Sequence, residues 1–132
     1  MGERVRLLFE GEKNYNTIGF VVPYLEYLNK NKKYVARGNK CLSSRYRNAL
    51  SYVEFALKEC LKNQPRPKKG KCLVDIIIYR PHMRGDPINF IDGICDGMIK
   101  CLDFDDRWFT VRLDWELDKK RPHIDVRFTY EY

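Results

Sequence analysis

The chain has 132 residues, the length of one domain that can bury a core without disulfide or zinc staples. Hydrophobic residues at 44% and aromatics at 14% exclude a disordered chain, and no apolar run approaches the roughly 20 residues of a membrane span. A formal net charge of +7 favours an anionic partner, nucleic acid being the commonest, without saying what is done to it.

In chain order, Arg4–Glu10 (RVRLLFE) reads as a first strand and Gly11–Thr17 as a polar loop. Ile18–Leu28 is apolar but interrupted by Pro23, and is read as irregular. Lys30, Lys32 and Lys33 make a basic turn, and Tyr34–Arg37 a short strand closed by Gly38-Asn39. Ser43 or Ser44 caps a long helix reaching about Asn63. Leu42, Tyr46, Ala49, Leu50, Val53, Leu57, Cys60 and Leu61 form its apolar stripe. The segment Gln64–Lys71 (QPRPKKGK) ends the helix in an exposed basic loop.

Cys72–Tyr79 (CLVDIIIY) is a near-continuous apolar run, as expected of a central strand covered on both faces. Asp86-Pro87 then reads as N-cap and first helical position of a helix to about Leu102. Phe109–Leu117 and Ile124–Tyr132 alternate apolar and polar residues with period two, and are expected to pair as an antiparallel hairpin. The expected fold is α+β. A single domain over 1–132 carries a mixed sheet, in the order β-α-β-α-β-β, with two main helices packed on it. Five cysteines without a Cys-x-x-Cys, and no signal peptide before the first strand, are expected of reduced thiols in a soluble cytoplasmic protein.

The charge is divided unevenly. Met1–Arg80 holds 17 basic and 7 acidic residues, a net of +10, and Pro81–Tyr132 holds 8 and 11, a net of −3. Much of the negative part is a run of aspartates. Asn89, Asp92 and Asp96 are spaced three and four apart, on one helical face, with Gly93 and Gly97 leaving space beside it. Asp86 precedes the helix; Asp103, Asp105 and Asp106 follow it. Hard cations take carboxylate oxygens, and two metals about 3.5–4 Å apart can clamp a phosphodiester. The same residues also suit a helix cap, a solvated helix face and a turn, and spacing alone leaves both readings open. His82 reads as a loop histidine and His123 as a structural one, and no Gly-rich phosphate loop is present.

The segment Arg84–Arg107 (RGDPINFIDGICDGMIKCLDFDDR) resembles the signature of RusA-type Holliday-junction resolvases. That signature is an Asp-x-Asp-Asn opening a helix, a lysine after two further residues, an aspartate four residues on, and an Asp-Asp pair after a short loop. The resemblance implies a small homodimeric magnesium-dependent endonuclease of branched DNA. Asp86, Asn89, Asp96, Asp105 and Asp106 fall on its motif. Ile88 stands where the family has its second catalytic aspartate, and Asp92 where it has lysine. Asp92 lies one helical turn beyond Ile88, so it is the residue placed to take over the missing ligand.

On this reading Asp86, Asp92, Asp96 and Asp106 are catalytic, these four and Asp105 hold Mg2+, and Asn89 supports them. Arg84, Lys100 or Arg107 would be the cation that stands in for the lost lysine. DNA arms would be held by Lys30, Lys32, Lys33, Arg37, Lys40, Arg45 and Arg47. Lys68, Lys69 and Lys71 of the basic loop, with Arg84, would add to them. The alternative is a protein of the same type that binds branched DNA or another nucleic acid without cutting it.

Overall fold

The computed structural model describes residues 13–33 and 43–132. Expectations for Arg4–Glu10, Tyr34–Arg37, Leu42 and Cys41, and for Arg37 and Lys40 as DNA contacts, lie outside them. The architecture is α+β: a four-stranded mixed sheet carrying two helices. The elements are β1 (Tyr15–Pro23), α1 (Ser44–Leu61), β2 (Cys72–Arg80), α2 (Ile91–Ile99), β3 (Phe109–Leu117) and β4 (His123–Glu131). No helix among the described residues is long and apolar enough to cross a membrane.

The first part of the segment read as irregular, Ile18–Pro23, joins Tyr15–Thr17 of the expected loop in one strand. Ile18, Phe20 and Val22 are buried while Gly19, Val21 and Pro23 are exposed, the alternation of a half-buried strand. Pro23 is tolerated because β1 is an edge strand and the proline ends it. Two 3-10 turns, Glu26–Leu28 and Lys30–Lys32, follow.

α1 begins as expected: the Ser43 hydroxyl accepts the Tyr46 amide at 3.0 Å, satisfying one of the free N–H groups of the first turn. Tyr46, Ala49, Leu50, Val53 and Leu57 are buried along its stripe. α2 begins later than expected. Pro87–Phe90 is a 3-10 turn, the α-helix runs only from Ile91 to Ile99, and the Asp86 side chain makes no capping bond.

The expected hairpin does not form. The sheet order is β1-β4-β2-β3. β3 pairs parallel to β2, from Cys72 opposite Phe109 to Arg80 opposite Leu117. β4 lies on the other side of β2, antiparallel both to it and to β1. Leu117 ends beside Arg80 and His123 starts beside Tyr79, so residues 118–122 arch over the end of β2. Period-two alternation fixes which face a strand buries, not which strand it pairs with.

β2 is interior but covered on one face only. Val74, Ile76 and Ile78 are buried among the helices, whereas Asp75, Ile77 and Tyr79 are half-buried on the other face. The core lies between the helices and Ile18, Phe20, Val22, Ile124, Val126, Phe128 and Tyr130. Gly93 and Gly97 serve this packing rather than opening space for a ligand. A Cβ on Gly93 would stand 2.5 Å from the Leu28 carbonyl oxygen, and one on Gly97 2.6 Å from the Val53 Cβ. Their bare backbones let α2 seat against α1 and the first 3-10 turn.

Candidate nucleic-acid interface

The aspartates are distributed by the β2–α2–β3 crossover. Because β2 and β3 are parallel, the chain leaves β2 at one end of the sheet and enters β3 at the other. Asp86 therefore lies at the exit from β2, beside Ile78, Arg80 and Phe90. Its carbonyl accepts the Asn89 amide at 3.0 Å. Asp105 and Asp106 lie at the entrance to β3. Asp105 caps the short 3-10 turn Asp106–Trp108, accepting the Arg107 amide at 3.1 Å and the Arg107 Nε at 3.0 Å.

Asp92 and Asp96 share α2 but differ in surroundings. Asp92 is exposed. Asp96 is half-buried, and its Oδ2 accepts the Tyr46 hydroxyl at 2.7 Å and the Lys33 ammonium at 3.2 Å. Asp92, Asp96 and Asp106 do share one neighbour. Burial first, and then the negative charges of Asp106, Asp96 and Asp92, push the Cys95 thiol up to about 12.

A magnesium site needs carboxylate oxygens converging from these elements. The residues as placed do not fit it. Ile88 supplies no oxygen and points to solvent, 62% exposed. Asp96 spends its Oδ2 on a hydroxyl and an ammonium, and Asp86 is at the other end of the crossover from Asp106. Among the described residues no three His, Cys, Asp or Glu side chains are grouped to hold a metal ion.

The four described cysteines, Cys60, Cys72, Cys95 and Cys101, are free thiols. His82 is half-buried and its Nδ1 accepts the Arg84 amide at 3.3 Å. His123 opens β4 and stacks on Tyr79 with ring centres 4.3 Å apart.

Several expected DNA contacts are engaged within the protein. Lys32 pairs with Glu26 at 2.8 Å, Lys33 with Asp96, and Lys68 with Glu131 at 3.7 Å. The Arg45 guanidinium lies over the Tyr27 ring and donates to its hydroxyl. Lys30, Arg47, Lys71 and Arg84 are exposed.

Another convergence of cations among the described residues lies elsewhere. A depression of about 550 Å³ between the end of α1, the basic loop and the turn after α2 is lined by Lys58, Lys62, Arg66 and Lys100. Its one acidic lining residue is Asp103, 3.6 Å from the Arg66 guanidinium, and Lys62 is paired with Glu59 at 2.8 Å on the exposed end of the helix. A second depression of about 540 Å³ shares Leu102 and Asp103 and adds Lys69, Arg107, Asp105 and Trp108. There the Lys69 ammonium stands 5.7 Å from the Trp108 ring centre. The first depression is predominantly cationic; in the second, Lys69 and Arg107 stand with Asp103 and Asp105 beside the aromatic wall of Trp108.

Lys69 is among the expected DNA contacts, and Lys100 and Arg107 among the expected stand-ins for the missing lysine, whereas Lys58, Lys62, Arg66 and Trp108 are not among the expected residues. One signal was available: Lys58 and Lys62 are four apart on the polar side of α1, opposite its buried stripe. Tyr52 and Phe55 were also unforeseen. They emerge from the same helix 56% and 64% exposed.

No protein-family model and no curated protein sequence matches this chain. Among solved structures, a thiamine-monophosphate kinase from Stenotrophomonas maltophilia K279a superposes with a TM-score of 0.45 at 7% identity. That match covers 94% of this chain, which spans 33% of the kinase.

Proposed function

We propose that this chain binds branched DNA through its phosphate backbone and leaves it uncut. The observation that carries the reading is the depression lined by Lys58, Lys62, Arg66 and Lys100 and continued by Lys69 and Arg107. Cations gathered in a concave surface concentrate positive potential where a phosphate chain can lie, and each phosphate neutralised releases counterions. Arginine and lysine there contact phosphates and sugars, which position a duplex without reading its sequence. Trp108 offers an unpaired base a stacking surface beside the track. The branched character of the substrate rests on the resemblance of Arg84–Arg107 to the resolvase signature.

The absence of cutting rests on the aspartates. Ile88 replaces a ligand, Asp96 is tied to Tyr46 and Lys33, and Asp86 and Asp106 are separated by the crossover.

The test is a synthetic four-way junction beside a linear duplex of the same sequence, each incubated with the protein with and without magnesium. The expected result is tighter binding of the junction and intact strands in every reaction. Magnesium-dependent cleavage, abolished by Asp106→Asn, would replace this reading with the endonuclease. Equal affinity for the two DNAs would remove the preference for branches.

A further inference from the structure

We infer that the two depressions that meet at Leu102 and Asp103 together hold a free nucleoside polyphosphate, its phosphates on Lys58 and Lys100 and its base on Trp108. The inference rests on those side chains and not on the resolvase likeness. The same cations are assigned to the DNA backbone above, so one consequence, that the nucleotide competes with DNA, rests on that reading.

The first depression supplies the anion end. Lys58 and Lys62 come from the end of α1, Arg66 from the basic loop and Lys100 from the end of α2. Lys58 and Lys100 are exposed and have no carboxylate partner among the described residues. Lys62 and Arg66 are engaged only in solvent-exposed pairs, with Glu59 at 2.8 Å and Asp103 at 3.6 Å. Such pairs contribute little and give way to a phosphate, which accepts stronger, charge-assisted hydrogen bonds. Four cations around one hollow neutralise a chain of phosphates rather than a single one. The two depressions, about 550 and 540 Å³, each have the volume of a small-ligand site.

The second depression supplies the base end. It shares Leu102 and Asp103 with the first, so one ligand can lie across both. Ile99, Leu102, Phe104 and Trp108 make its lining partly apolar, as a nucleobase requires. Trp108 is half-buried and packs against the core, so its ring is held in place for stacking. The Lys69 ammonium stands 5.7 Å from the ring centre. Displaced from there by the base, it swings on its flexible stem toward the phosphates. Asp103, where the depressions meet, offers a carboxylate to a ribose hydroxyl, the role an acidic residue takes in dinucleotide sites. Asp105 stays with Arg107 at 3.0 Å, which limits its repulsion of the phosphates. An inorganic polyphosphate would use the first depression alone, and a nucleoside the second alone.

The test is calorimetric titration of the intact chain, without DNA or magnesium, with adenosine triphosphate, inorganic tripolyphosphate and adenosine. Adenosine triphosphate is expected to bind at one site, tripolyphosphate about tenfold more weakly for want of a stacked base, and adenosine more weakly still. Trp108→Leu should bring adenosine triphosphate down to the tripolyphosphate level and leave tripolyphosphate where it was, and Trp108→Phe should restore most of the difference. Lys58→Gln together with Lys100→Gln, both on exposed side chains, should weaken the two phosphate-bearing probes alike, by about tenfold or more. Adenosine triphosphate should also displace a bound four-way junction. The inference is overturned by no saturable binding of adenosine triphosphate, by equal affinities for it and tripolyphosphate, or by unchanged affinity in the Trp108→Leu chain. If that chain does not fold, unchanged affinity in the double lysine variant overturns it instead. Nucleotide and junction bound together without competition also overturn it. Junction binding by a chain that takes no nucleotide sinks this inference and leaves the DNA reading standing; nucleotide binding by a chain that takes no junction does the reverse.

Discussion

The hydroxyl of Tyr46, buried in α1, donates to the Asp96 Oδ2 on α2 at 2.7 Å. The aspartate that the resolvase signature places in a metal site thus fastens one helix to the other, with Lys33 completing the contact at 3.2 Å. Tyr46→Phe removes the bond and leaves the ring in place. It is expected to destabilise the fold by about 1 kcal/mol, the usual worth of such a bond to a partly exposed carboxylate. Urea unfolding measures this. In a double-mutant cycle with Asp96→Ala, which leaves no acceptor, the two losses should fall short of additivity, because both remove one interaction. Additive losses would show that the pair is not coupled.

Gly97→Ala tests how α2 seats on α1. At an exposed helical position, glycine to alanine gains about 1 kcal/mol from propensity. Here the new Cβ would stand 2.6 Å from the Val53 Cβ, so the sign reverses. Overpacking costs typically 1–3 kcal/mol. The variant should melt below the wild type, and a higher melting temperature would show that the helices are not in contact there.

Cys72 makes a pH prediction. Burial first, and then the nearby Glu131 carboxylate, push its thiol up to about 12 in the folded protein, from the ordinary range of about 8.5–9 when unfolded. Between those values the unfolded chain has released a proton that the folded chain retains. Unfolding is therefore favoured as pH rises, and the contribution of this thiol to stability, complete below pH 8.5 or so, is lost toward 12. Denaturant midpoints from pH 8 to 10.5 should fall, and fall less steeply in Cys72→Ala once its lower baseline stability is subtracted. Equal slopes in the two proteins would contradict the cause assigned.

The sequence shows some of these features plainly and hides others for physical reasons. The α1 stripe is legible because a 3.6-residue period over 18 residues has few alternatives. β2 is legible from its apolar run. β1 was obscured by Pro23, which reads as a breaker inside an element and is harmless at the end of an edge strand. The short connection between β3 and β4 suggested a hairpin, but five residues also suffice to arch over the end of β2. Nothing in the alternation of Ile124, Val126, Phe128 and Tyr130 names β1 and β2 as neighbours.

At the candidate site, the spacing of Asp92 and Asp96 showed a shared helix. It could not show that Tyr46, fifty residues earlier, occupies one of the oxygens. The depression joins Lys58, Lys62, Arg66 and Lys100 from three separate segments, a juxtaposition that exists only after folding.

The central claim is that this depression holds the DNA backbone. The direct measurement is junction affinity as a function of salt concentration, for the wild type and for a chain with Lys58, Lys62, Arg66 and Lys100 replaced by glutamine or alanine. If these four cations each meet a phosphate, the slope of log K against log salt should become shallower by about 3.6, at roughly 0.9 per lost contact. Affinity at low salt should fall with it, while the circular dichroism of the folded chain is unchanged. An unaltered slope and affinity in the quadruple variant would place the DNA elsewhere and contradict the account.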